Sequence, residues 1–210
     1  MVTYTVEYKK SFFSRREIRD ILISVVALTV GLFFVIDREL GGSSITLPER
    51  LLISFLMVMT AFFLHEMSHK FTAIRFGAWS EFRMWPFGVV LTLLTGFLGF
   101  LFALPGAVYF ASNRNPIREG KIALAGPSMN LVIGIILLPV LLLTQLPVLP
   151  RTALYFLVFI NIWLAFFNLI PINPLDGSKV YRWNRTYWGL LFAGAAVLVI
   201  PFLLNYIPIS

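Results

Sequence analysis

Residues 62–71 read FFLHEMSHKF and place two histidines and a glutamate inside a run that otherwise has the character of a lipid-facing helix. His65 and His69 are the only histidines of the 210-residue chain, and they stand four positions apart. On a helix that spacing puts both imidazoles on one face. It is the arrangement two rings need to share one tetrahedral metal ion at about 2.0–2.1 Å each. Glu66 lies beside His65, where a carboxylate can take a proton from a water held by such an ion. The whole reads H-E-x-x-H, two ligands and a general base. Random placement sets two histidines four apart in about 1% of cases, and a glutamate directly after the first reduces this to roughly 1 in 3,000. A purely structural histidine pair is the competing reading, but clustered ionisable groups inside an apolar span are costly and point to function.

The surroundings of that segment set the fold class. The chain is 59% hydrophobic and only 13% charged, with a mean hydropathy of +0.85, whereas soluble domains carry about a quarter charged residues. An integral membrane protein is expected. Its apolar runs are continuous and not alternating, so it is all-α and not a barrel. The chain has no cysteine, which excludes disulfides and thiolate ligands. The net charge of +7 comes from basic residues flanking apolar runs, an ordinary topology signal, and no nucleic-acid partner is expected. The first apolar run starts near Ile18 without a small-residue cleavage pattern after it, so no cleavable signal peptide is expected. Polar segments are too short for an additional soluble domain.

Crossing a bilayer takes about 20 apolar residues. Five stretches qualify: Ile18–Ile36, Leu51–Phe71, Ile122–Leu143, Ala153–Leu169 and Trp188–Tyr206. Phe87–Ala111 is apolar but broken by glycines and Pro105, and follows the strand-and-turn phrase WSEFRMWPFG. It predicts a short β-hairpin or re-entrant element, or two short crossings, in a polytopic bundle of about five to six transmembrane helices. Charge decides how that stretch runs. If it leaves on the side it entered, 14 of the 17 Lys and Arg share the side of the N-terminus, and only Arg38, Arg50 and Arg151 face the other. A single crossing would give 9 against 8. The positive-inside rule selects the first arrangement, with residues 1–17 as a basic cytoplasmic tail, residues 18–210 as one membrane domain and the C-terminus outside.

Two histidines do not complete a catalytic zinc site, and a third ligand must be a carboxylate. The candidates are Asp20, Asp37, Glu39, Glu49, Glu81, Glu119 and Asp176. The topology puts His65 and His69 toward the cytoplasmic end of their span, away from Asp37, Glu39 and Glu49. Asp20 and Glu119 sit among basic residues at span ends, where a solvated charge suffices. Asp176 follows the fourth long span on the correct side, in NLIPINPLDG, whose prolines and glycine turn the chain inward. Asp176 is the leading candidate, and Glu81, in the aromatic hairpin, stays open.

These residues carry a pattern that resembles the site-2 protease family of intramembrane zinc metalloproteases. HEMSH precedes Leu175-Asp176-Gly177 by over a hundred residues, and AGPSMN at 125–130 is similar to the family's G-x-x-x-N stretch. NLIPINPLDG matches N-x-x-P-x-x-x-L-D-G with Asn168, Pro171, Leu175, Asp176 and Gly177 in place. The resemblance covers about residues 51–185. It implies one Zn²⁺ per chain, held by His65, His69 and Asp176, with Glu66 as catalytic base. It also implies that Asn168 and Asn130 position substrate or an oxyanion, although helix–helix hydrogen bonding is an alternative use of asparagine in membranes. The activity implied is cleavage of transmembrane helices near the cytoplasmic side, with the lipid bilayer as medium. The aromatic hairpin at Trp79–Gly106, at a position such as Val89, is a candidate edge for pairing with an extended substrate. A metal-ion transporter using the same cluster is the alternative, disfavoured because polar groups gather toward one side only. A scaffold or chaperone would not depend on zinc.

Overall fold

Local signals along the chain account for where each helix begins. In the computed structural model, which describes residues 12–102, 104–111 and 115–209, helix α1 (Arg15–Glu39) starts where the Ser14 hydroxyl accepts from Glu17 N–H at 3.1 Å. Helix α2 (Leu47–Met57) starts at a reciprocal cap: Thr46 N–H donates to Glu49 at 2.7 Å. A π-helical turn, Val58–Phe63, joins α2 to α3 (Leu64–Arg75), so that Leu47–Arg75 forms one continuous span. Asn115 and Asn184 cap α5 (Pro116–Leu143) and α8 (Arg185–Leu203) by accepting backbone N–H groups. Between them lie α6 (Val148–Asn168) and α7 (Asp176–Trp183). Among the described residues five helices are long and apolar enough to cross a membrane: α1, the α2–α3 unit, α5, α6 and α8. They contain or overlap all five expected spans, with ends shifted by a few residues where caps, which hydropathy does not see, set the boundary.

The glycine-rich stretch folds back on itself. Strand β1 (Ser80–Met84) pairs antiparallel with β2 (Gly106–Phe110) in the register Ser80↔Phe110 through Met84↔Gly106. Between them, α4 (Pro86–Leu98) is a 13-residue apolar helix packed along α1. Gly31 and Gly96 let these two helices touch backbone to backbone, since a Cβ at Gly96 would lie 2.5 Å from Gly31 Cα. Gly99, at φ +95°, ends α4, and Arg38 donates to the Leu98 and Phe97 carbonyls at 2.7 and 2.6 Å. The hairpin therefore runs alongside α1 from the level of Glu17 to that of Arg38, about 32 Å at 1.5 Å per residue. That equals the thickness of a bilayer core, and chain entry and exit meet at the same end. Two expectations are corrected here. Val89 lies within α4 and not on a strand, because the run after Pro86 has helical continuity and the strands are confined to 80–84 and 106–110. Asp20 is not a solvated charge: it is 2% exposed, with Arg19 reaching round to it at 2.9 Å.

Described basic residues occur at both ends of the bundle. Arg38 and Arg50 share one end, where Arg50 pairs with Asp37 at 2.5 Å; Arg151 lies in the first turn of α6. Lys70, Arg83 and Lys179 lie toward the other. Lys9, Lys10 and Arg114, and with them most of the expected N-terminal tail, fall outside the described residues.

Candidate metal centre

Helix α3 carries His65 and His69 one turn apart, about 15 and 9 Å from its C-terminal end at 1.5 Å per residue. After α6 the chain turns through NLIPINPLDG, and α7 begins with Asp176. Gly177 is needed there, because a Cβ would strike the Leu169 carbonyl group. That close approach delivers the carboxylate to the histidines. Asp176 Oδ2 lies 3.3 Å from His65 Nε2 and 3.1 Å from His69 Nε2, and the two Nε2 atoms are 3.0 Å apart. His65, His69 and Asp176 form the group of potential metal ligands found among the described residues. Glu81 does not join it and pairs with Arg83, so Asp176 is the third potential donor.

The donor chemistry of this triangle fits a small divalent cation. His69 Nδ1 lies 2.8 Å from the Ile122 carbonyl, and a carbonyl only accepts, so Nδ1 carries the proton and Nε2 presents a lone pair. His69 Nε2, the Asp176 carboxylate oxygen and His65 Nε2 then converge on one point, and with His65 in the same tautomer three lone pairs face inward, an arrangement a cation between them would satisfy. Bonds of about 2.0–2.1 Å in a tetrahedron give donor–donor edges of about 3.3 Å, close to the edges observed here. Helix α5 leaves room for the rings: a Cβ at Gly126 would collide with Nε2 of both histidines. Pro127 follows it and removes one backbone donor from this turn of α5.

Glu66 sits 9% exposed beside the triangle and accepts Val108 N–H at 2.9 Å. This contact was invisible in the sequence, because a backbone donor leaves no residue signature. Both lie on a cavity of about 190 Å³ that runs from the histidines along residues 104–108 to Leu28 and Leu32 of α1 and Ile160 and Leu164 of α6. Asn168 lines that cavity, its amide donating to Leu164 O at 3.0 Å. Asn130 does not line it. Fully buried, it donates to Ala61 O at 3.2 Å, within the π turn that leads into H-E-x-x-H. Asn161, which the sequence reading passed over, grips the same turn through Thr60 Oγ1 at 3.1 Å. Its position two helical turns before Asn168, on the same face of α6, was the available signal. Lys70 and Glu17 were also missed; they form a buried ion pair at 2.8 Å.

Known proteins resemble this chain in sequence. The profile of peptidase family M50 matches residues 53–154 and 149–188. "Putative zinc metalloprotease MJ0611" of Methanocaldococcus jannaschii is 37% identical over 185 residues, covering 85% of this chain and 90% of the relative. "Zinc metalloprotease MJ0392" of the same organism is 29% identical over 132 residues, covering 62% of this chain and 33% of the relative. "Putative zinc metalloprotease YwhC" of Bacillus subtilis is 29% identical over 148 residues, covering 59% of this chain and 64% of the relative. No solved structure matches the chain. With a profile spanning most of the sequence and a relative aligned over nearly its whole length, the chain belongs to peptidase family M50, the site-2 proteases.

Proposed function

We propose that this chain is an intramembrane zinc endopeptidase that cleaves transmembrane helices of membrane-protein substrates near the cytoplasmic side. In this reading residues 18–210 act as one domain of a multi-pass cell-membrane protein whose N-terminus is cytoplasmic. The observation that carries it is the convergence of His65, His69 and Asp176 beside Glu66, on an apolar cavity bordered by a strand edge. His65, His69 and Asp176 would hold one zinc ion, which when bound lowers the pKa of a water and polarises a peptide carbonyl.

Glu66 takes the proton of the attacking water and returns it to the leaving amine. Val108 N–H fixes the carboxylate against the strand, so Glu66 does not rotate away from the histidines. The Ile122 carbonyl holds the His69 ring in one orientation and one tautomer. Asn168, on the cavity wall, is placed to donate to the substrate carbonyl once its side chain turns from Leu164 O. Asn130 acts at one remove by holding the π turn that sets the rotation of α3. The backbone pattern supplies the substrate site. Trp85 N–H bonds Pro105 O and Ala111 N–H bonds Trp79 O, so the alternate residues Gly106, Val108 and Phe110 turn their polar groups away from β1. A transmembrane helix must unwind before a peptide bond is exposed, and an unwound segment needs partners for its freed amides. The outward edge of β2 offers them by strand addition.

The test is cleavage of a single-span helical substrate in reconstituted vesicles, with product masses mapping the cut. Cleavage at a bond in the cytoplasmic half, abolished by chelation and by Glu66→Gln, is expected. Full cleavage by the Glu66→Gln protein overturns the assignment.

A further inference from the structure

One buried ion pair is used by none of the steps above. Glu17 of α1 is 0% exposed and Lys70 of α3 is 1% exposed. Lys70 Nζ donates to both carboxylate oxygens at 2.8 and 3.0 Å and lies 4.9 Å from the Phe13 ring centroid. Stability does not account for such a pair, since apolar residues of similar volume commonly serve as well. What apolar residues cannot do is bind backbone. Glu17 accepts Phe82 N–H at 2.9 Å, and Lys70 Nζ donates to Ser80 O at 3.0 Å. Both groups belong to the outward edge of β1. Phe82 is the cross-strand partner of Val108, whose own outward N–H holds Glu66. A single row thus crosses the hairpin, from Glu17 through Phe82 and Val108 to Glu66.

We propose that Glu17 and Lys70 are positioning residues: they close the β1 edge to strand addition and pin the hairpin against α3, fixing which substrate bond faces Glu66. The proposal rests on the strand-addition reading of β2 above. A strand advances about 3.3 Å per residue, so a hairpin free to slide by that distance presents the neighbouring bond. This gives α1, which carries no recognised motif, a direct part in the register of cleavage.

The test compares wild type with Glu17→Leu/Lys70→Met, which removes both backbone anchors without leaving a lone buried charge. Glu17→Gln/Lys70→Met keeps an acceptor for Phe82 N–H. Substrate is a single-span helix in vesicles; kcat, KM, product masses and zinc per chain are measured. Glu17→Leu/Lys70→Met should keep its zinc, lose about 10- to 100-fold in kcat as the reacting groups misalign, and cut at one or more neighbouring bonds besides the original. Glu17→Gln/Lys70→Met should recover the single cut. A folded, zinc-loaded Glu17→Leu/Lys70→Met protein that cuts only the original bond overturns the proposal. So does loss of fold in both double variants, because the pair then holds the fold and not the register. Glu66→Gln runs in parallel: activity there refutes the active-site reading itself, whereas an inactive Glu66→Gln together with an unchanged cut pattern in folded, zinc-loaded Glu17→Leu/Lys70→Met refutes only the positioning role.

Discussion

Gly126→Ala places one methyl group against the centre of the proposed metal site. The added Cβ would stand 2.5 Å from His65 Nε2 and 2.7 Å from His65 Cε1, and would collide with His69 Nε2 as well. Ordinary contact begins near 3.5 Å, so the rings must retreat by about 1 Å. Metal–ligand distances tolerate about 0.2 Å, so a shift of this size is felt at once. Overpacking of this kind costs about 1–3 kcal/mol. Expressed at the metal, that is about a 5- to 150-fold loss of zinc affinity at 1.4 kcal/mol per tenfold. Alanine is the better helix former by about 1 kcal/mol, which helps the fold of α5 and does nothing for the donors. Gly134→Ala on the same helix is the control: its Cβ would lie 2.5 Å from Ile162 Cγ1, remote from the histidines. It should cost stability and leave zinc affinity unchanged. Competition against a chelator of known affinity, with circular dichroism to check the helices, measures both. Zinc binding by folded Gly126→Ala as tight as wild type would refute the assignment of these donors.

Glu66→Gln should retain zinc yet lose about 10²- to 10⁴-fold in cleavage rate, the usual contribution of a general base, read on a model substrate. Val108→Pro removes the N–H that holds Glu66 but no rung of the β1–β2 ladder, since that N–H points outward; cleavage should fall about 10-fold with zinc content unchanged. Arg38→Met strips the Phe97 and Leu98 carbonyls of their donors and should lower the melting temperature by about 2–6 °C, without altering zinc binding.

The parts of this protein that sequence made legible are local or compositional. The five spans follow from long apolar runs, and the histidine pair from a spacing of one helical turn. Asp176 followed from chain direction, because topology placed its loop on the side of the histidines. What escaped was of two kinds. Backbone groups such as Val108 N–H and Ile122 C=O hold Glu66 and His69, and backbone groups are the same in every sequence. Long-range polar pairs escaped as well: Glu17 and Lys70 lie 53 positions apart, and each reads alone as a charge near a span end. The π turn at Val58–Phe63 has no composition of its own; it is visible only through the asparagines that bind it. Asn130 stood open in the sequence between a role in the active centre and helix–helix hydrogen bonding, and its side chain makes the second kind of contact, to that turn. The helix inside the hairpin was missed because glycine and proline at 88, 96, 99 and 105 argue against regular structure. Here they mark its close approach to α1 and its end.

The central claim, that His65, His69 and Asp176 together hold one zinc ion, is tested most directly by X-ray absorption at the zinc edge on purified protein. One zinc per chain is expected, in a four-coordinate shell with two imidazole nitrogens and oxygen at about 2.0–2.2 Å, and with one imidazole fewer in His69→Ala. A shell without imidazole, or one unchanged in His69→Ala, would contradict it.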